Sequence, residues 1–214
     1  MSKVAVLGSG QVGQVLAEGF LKHGHEVMRA SRDPKKLADW SAKTRGAKTG
    51  TFAEAAAWAD MVVLAVKGTA AEAAIDEAGV ENLAGKTVID ATNPIADAPP
   101  RNGVLAFFTS LDESLLERLQ KKAPRAHLVK AFSCVGSAFM VNPSFPGGPP
   151  TMFICGNDQG AKAEVKAILD QFGWETADMG AVEAARAIEP LCILWCIPGL
   201  SGGSWSHAFK LLRL

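Results

Sequence analysis

The chain has 214 residues, and its 22 Lys and Arg balance 22 Asp and Glu, a formal net charge of zero at pH 7. A length of this order closes one large core without metal or disulfide staples, and the balanced charge offers no basic field for nucleic acid. The longest apolar run, "IEPLCILWCIPGL", carries two prolines and falls short of the ~20 residues of a membrane span, so no membrane association is expected.

The first strand, Lys3–Gly8, begins so close to the start that no signal peptide is expected. It runs into Gly8-Ser9-Gly10-Gln11-Val12-Gly13, which opens a helix over Gln11–His23. A second strand, His25–Ala30, ends at Ser31-Arg32, and Asp33-Pro34 suits the cap of a helix over Pro34–Ala42. A brief strand at Ala47–Thr49, a helix at Phe52–Trp58, a strand at Met61–Val66 and a helix at Ala70–Ala78 follow. The pattern continues with a strand at Lys86–Ala91, a helix at Asp112–Lys122 and a strand at His127–Phe132.

The stretch Asn142–Pro150 holds four prolines and two glycines in nine positions, so it reads as a loop and a candidate site rim. Strands at Thr151–Gly156 and Trp174–Met179 flank a helix at Asp158–Phe172, and a helix at Val182–Cys196 closes the series. "PGLSGGS" then interrupts before a final amphipathic helix with Trp205, Phe209, Leu211 and Leu212, whose burial against a second copy suggests a homodimer. Strand-helix alternation of this kind specifies an α/β protein: a Rossmann-like, doubly wound, mostly parallel sheet with a small C-terminal lobe. The expected division is a Rossmann domain over 1–132 and a lobe over 133–214 packed on it that supplies the dimer contacts.

A lone G-x-G-x-x-G is weak, but here it directly follows an apolar strand and opens a helix. Gly8 permits the turn, Gly10 lets backbone approach a pyrophosphate, and Gly13 lets helix pack on strand. The end of the second strand, where an acid would hold a ribose 2′-hydroxyl, carries Ser31 and Arg32 instead, with Lys35 and Lys36 following. Arg32 can stack on adenine or fork onto a 2′-phosphate, and Ser31 can donate a hydrogen bond, so NADP is favoured over NAD. Because ligands of open α/β sheets sit beyond the carboxyl ends of the strands, Val66, Lys67, Thr92, Asn93 and Pro94 should border the cofactor.

The four cysteines, Cys134, Cys155, Cys192 and Cys196, form no C-x-x-C pair and have no histidines at zinc spacing, so no metal is expected and a reducing cytoplasm is. Cys192 and Cys196 can share a helix face, buried free thiols being the commoner reading. Arg186 and Glu189, three apart, can pair on one helix. The chain has no tyrosine, which removes the Tyr-Lys proton relay, and no histidine stands at the glycine end of the sheet. His23 and His25 lie in the opposite turn, His127 starts a strand on the wrong edge, and His207 is terminal. An acceptor that takes hydride without a positioned protein acid fits this pattern, as flavin and deazaflavin rings do. No catalytic residue is assigned.

The blocks "VAVLGSGQVGQVLAEGFLKHGHEVMRASRDPKK", "ATNP", "KAF", "FICGND", "DMG" and "RAIEPL" resemble the NADP oxidoreductases that use the deazaflavin coenzyme F420, over nearly the whole chain. The same blocks are similar to the reductase domain of the six-transmembrane metalloreductases. The resemblance implies NADPH held by Ser9, Gln11, Val12, Ser31, Arg32 and Lys36, with the nicotinamide near Val66, Asn93 and Ala131. It also implies a second ring in the C-terminal lobe, where Ser133, Cys134 and Trp205 depart from the family pattern. Two other readings are an NADP-dependent reductase of a small carbonyl or imine, and a non-enzymatic NADPH sensor. The former has only Lys162, Lys166 and Lys210 after Pro150 as candidate lysines, the first two on a polar helix face.

Overall fold

The computed structural model describes residues 1–213. The elements run β1 (Lys3–Leu7), α1 (Gln11–Lys22), β2 (Glu26–Ala30), α2 (Ala38–Lys43), β3 (Lys48–Gly50), α3 (Phe52–Trp58), β4 (Met61–Leu64), α4 (Ala71–Ala78), α5 (Val80–Leu83) and β5 (Thr87–Asp90). They continue with α6 (Leu115–Lys122), β6 (His127–Lys130), β7 (Thr151–Gly156), α7 (Gln159–Gln171), β8 (Glu175–Asp178), α8 (Ala185–Ile188) and α9 (Leu191–Gly202).

The strands form one sheet in the order β3-β2-β1-β4-β5-β6-β7-β8. The first six are mutually parallel; β7 is antiparallel to β6, and β8 is parallel to β7. β4 and β5 are buried along their whole length, as strands covered by helices on both faces must be. On one face α1 and α7 bury Leu16, Phe20, Val165, Ile168 and Phe172; on the other α3, α4 and α6 bury Phe52, Ala55, Ile75, Leu115 and Leu119. This is the expected α/β fold. Among the described residues, 133–213 build no second sheet, because β7 and β8 extend the one begun by residues 1–132.

Local signals account for several helix starts. Thr51 with Glu54 and Ser114 with Glu117 form capping boxes on α3 and α6, and Asp158 caps α7 through the Ala161 N–H. Asp33 accepts from the Lys35 N–H ahead of a 3₁₀ turn, Pro34–Leu37, that precedes α2.

Five expectations need correction. The helix after Val182 does not stop at Cys196 but continues through Pro198 and Gly199 to Gly202, ending at Gly203 in the left-handed conformation (φ 73°). The helical run Val182–Gly202 is thereby long and apolar enough to meet a membrane-span test by length and composition alone, and part of it lies inside the protein, where Glu189 meets Lys130. Among the described residues no final helix follows. Residues 203–213 form an irregular tail that docks on the start of β7: the Thr151 N–H donates to Phe209 O, the Leu211 N–H to Thr151 Oγ1, and Lys210 Nζ to Pro149 O. Trp205 folds back on Gly199, where any added Cβ would strike its ring.

Arg186 and Glu189 do not pair. Arg186 grips Glu117 of α6 through Nε and Nη2, while Glu189 accepts the N–H groups of Leu115 and Leu116 and meets Lys130 Nζ at 2.9 Å. Lys162 is not on a polar face either; it is buried and bridges to Asp178. The 142–150 loop lies at the far end of α1, where Asn142 Oδ1 is 3.2 Å from His23 Nε2, so it rims neither cavity described below.

Candidate functional site

The parallel strands β1, β2, β4, β5 and β6 end on one edge, and the segments leaving them converge there. Gly8 must be glycine because a Cβ would run into the carbonyl oxygen of Ala65; at Gly13 a Cβ would run into the carbonyl oxygen of Gly8. Gly10 differs: no protein atom lies within 4 Å of where its Cβ would stand. The protein packing alone therefore demands glycine at the first and last positions, and at the middle one it leaves space. Gly10 is also the N-cap of α1 and gives no side-chain cap, so the first-turn N–H groups remain free toward that space.

Two cavities meet at this loop. One, of about 210 Å³, is lined by Gly8, Ser9, Gly10, Ser31, Arg32, Lys36, Phe52, Val66, Lys67 and Glu77 among others. The other, of about 430 Å³, is lined by Gly10, Gln11, Val12, Ala65, Val66, Lys67, Ala91, Val135, Gly136 and Ser137. Gly10, Ala65, Val66 and Lys67 belong to both, so the cavities form a single elongated cleft over the glycine loop. A further concavity of about 490 Å³ lies beside His127 and Asp158, at the amino end of β6 and away from this loop.

Most residues singled out in the sequence gather here. Ser31 is buried, and its Oγ accepts from the Asp33 N–H at 3.3 Å, which leaves its hydroxyl hydrogen free to donate. Lys67 is exposed and paired with Asp97. Asn93 and Ala131 line neither cavity. Asn93 donates its amide to the Ser133 carbonyl at 2.9 Å, and its Oδ1 is enclosed without a partner, as is Ser133 Oγ. Ala131 is wholly inside the core, and Val135, Gly136 and Ser137, which were not anticipated, form the wall instead. Gly136 in turn abuts Trp195, which stacks on His207 and lies 5.4 Å from the Trp205 ring.

Two further features went unrecognised in the sequence. Arg29, buried in β2, donates to the carbonyl oxygens of Gly8, Ser9 and Gly10. Lys130 meets Asp90, Glu189 and the Thr92 carbonyl in the interior, directly beneath the Thr92–Asn93–Pro94 segment. Burial pulls the Lys130 pKa down, but the two carboxylates outweigh it and leave the ammonium firmly protonated. A cation in an apolar strand is itself a signal, since it requires polar partners from elsewhere in the chain.

The geometry agrees with comparisons to known proteins. The family model "NADP oxidoreductase coenzyme F420-dependent" matches residues 3–94. A candidate F420-dependent NADP-reductase from Arthrobacter sp. FB24 is similar over 100% of both chains, at 34% identity and a TM-score of 0.93. The metalloreductase STEAP3 of Rattus norvegicus is 29% identical over 92% of this chain, which spans 38% of that protein's length. An imine reductase from Streptomyces aurantiacus shares the fold at 18% identity and a TM-score of 0.68, over 92% of this chain and 62% of the other. With residues 3–94 matched by the family model and the whole length matched at 34% identity, the chain belongs to the coenzyme F420-dependent family of NADP oxidoreductases.

Proposed function

We propose that this protein is an NADPH-dependent oxidoreductase that exchanges hydride between NADP(H) and a deazaflavin or flavin-type ring. The observation that carries the reading is the open Cβ direction of Gly10 at the junction of the two cavities, with Ser31 and Arg32 at one end and a less polar cavity at the other. A dinucleotide fits that division. Ser31, Arg32 and Lys36 would hold the 2′-phosphate, the free N–H groups of the loop and of α1 the pyrophosphate, and Val12, Val66 and Ala91 the nicotinamide. The bound nicotinamide supplies the hydride.

The protein's own work at the far end is to stack and orient two flat groups. The polar side chains lining that cavity are Gln11, Lys67 and Ser137, and Lys67 is already paired with Asp97. None is an acid suited to protonate an alkoxide, which favours a ring acceptor over a simple carbonyl or imine. Homodimerisation and a cytoplasmic setting accompany the proposal; the exposed Leu194 and Leu200 of α9 support the former.

The test is NADPH oxidation by the purified protein with riboflavin, flavin mononucleotide or coenzyme F420, followed by loss of dihydronicotinamide absorbance. Turnover with at least one ring acceptor is expected. Turnover with simple carbonyls or imines alone would replace the reading by the reductase alternative, and tight NADPH binding with no turnover would favour a sensor.

A further inference from the structure

Arg29 sits in a strand whose flanking residues are apolar, and only 2% of its surface is exposed. Its Nε donates to Gly8 O at 3.1 Å, and its Nη2 to Ser9 O at 2.7 Å and Gly10 O at 2.8 Å. The guanidinium also lies 5.1 Å from the centre of the Trp40 ring. Glu18, the acid whose charge it feels, directs Oε1 to Gln14 Nε2 and the Trp40 indole instead. An always-charged group is thus held in the interior on main-chain carbonyls and an aromatic face rather than on a carboxylate.

We propose that Arg29 is a positioning residue for the pyrophosphate of the dinucleotide, an inference that rests on the cofactor reading above. A trans peptide unit points its C=O and N–H to opposite sides. Drawing the carbonyls of Gly8, Ser9 and Gly10 onto one guanidinium therefore aims the N–H groups of Ser9, Gly10 and Gln11 away from it, toward the cleft. It also withdraws three negative carbonyl poles from the path of a phosphate and leaves a positive charge behind the loop. Arg32 acts at the other end of the adenosine, so the two arginines divide the work: Arg32 distinguishes the 2′-phosphate, and Arg29 serves any ligand that has a pyrophosphate.

Calorimetric titration of Arg29→Gln and Arg29→Lys with NADPH, NADH and adenosine 2′-monophosphate tests the assignment. Arg29→Gln should weaken NADPH and NADH by a similar factor, about tenfold or more, and leave adenosine 2′-monophosphate within about twofold of wild type. Arg29→Lys, which keeps a charge but not the fork, should lie between and serves should the Gln variant fail to fold. Unchanged dinucleotide affinity in either variant, or an equal loss for adenosine 2′-monophosphate, overturns the assignment. Wild-type protein that binds none of the three ligands overturns the cofactor reading as well; wild-type binding with unimpaired variants overturns this inference alone.

Discussion

Lys130 Nζ stands 2.6 Å from Asp90 Oδ2, with both side chains fully enclosed by the core. Glu189 joins them at 2.9 Å and uses its carboxylate to accept the first free N–H groups of α6, so one ammonium ties β5, β6, α6 and the end of α8 together. Asp90 also accepts from the Thr92 N–H and hydroxyl, which fixes the turn leading to Asn93. Lys130→Met would leave two buried carboxylates without their cation. The expected cost is about 3–5 kcal/mol, read as a fall in Tm of roughly 6–20 °C for a chain of this size. A change within about 2 °C would show that the cluster contributes little.

Glu117 and Arg186 make stability depend on pH in a defined direction. The Arg186 guanidinium, with Ser114, holds the Glu117 carboxyl at about 2 against an ordinary 4.5. A carboxylate lowered in the folded state adds stability that is complete above its unfolded pKa and is lost as pH falls through the folded one. Arg186 is partly exposed, so solvent screening trims its share, and its removal should leave only a modest deficit. Denaturant unfolding of Arg186→Met should show that deficit at pH 7, shrinking below about pH 5 and gone below about pH 2. A deficit that stays constant across this range would rule out the ion pair as its source.

Gly8 and Gly10 should separate folding from binding. Gly8→Ala sets a methyl group against the Ala65 carbonyl and should destabilise the protein by about 3 kcal/mol or more. Gly10→Ala meets no protein atom within 4 Å, so its Tm should match wild type closely, while its methyl group occupies the space toward which the free α1 amides point. Loss of NADPH affinity by about tenfold or more at unchanged Tm is the expected result. Wild-type affinity in Gly10→Ala would remove the main support for a pyrophosphate at this loop.

The strand-helix order and the glycine motif were legible because both are local: apolar runs alternate with helical segments, and Gly8, Gly10 and Gly13 sit at the turn between two of them. Arg29 was not, since its partners lie 19 to 21 residues away and become neighbours only when β2 pairs with β1. The Arg186–Glu189 spacing misled because it considered one helix, whereas both side chains reach α6. The terminal helix failed for a similar reason. Trp205, Phe209 and Leu212 repeat at a helical period, but hydrogen bonds to Thr151 and Pro149 hold the tail against β7.

Ser31 and Arg32 carry the proposed choice between the two nicotinamide dinucleotides. Both line the smaller cavity with Lys36, while Glu77 and the capping Asp33 lie nearby, so the pocket is mixed in charge rather than uniformly basic. Most discrimination should then come from the two named residues. Ser31→Ala combined with Arg32→Ala should weaken NADPH by about 30-fold or more, roughly 2 kcal/mol, and change NADH affinity by less than about threefold. Paired titrations measure the ratio directly. An unaltered preference for NADPH would place the 2′-phosphate elsewhere.

Cys196 should be the reactive thiol of the folded protein. Burial pushes Cys134 and Cys155 up to about 12, and Cys192, buried and hydrogen-bonded to Cys196, is raised as well. The same hydrogen bond lowers the Cys196 thiol, which is also the only cysteine of the four that is partly exposed. The thiolate is the nucleophile, and exposure sets the access of a reagent, so both factors select one residue. Ellman's reagent at neutral pH should therefore register one fast equivalent in native protein and four after denaturation, with the fast one absent in Cys196→Ser. Two or more fast equivalents in the native state would mean that α9 opens readily and that the packing of Trp195 and Trp205 around it is looser than the structure describes.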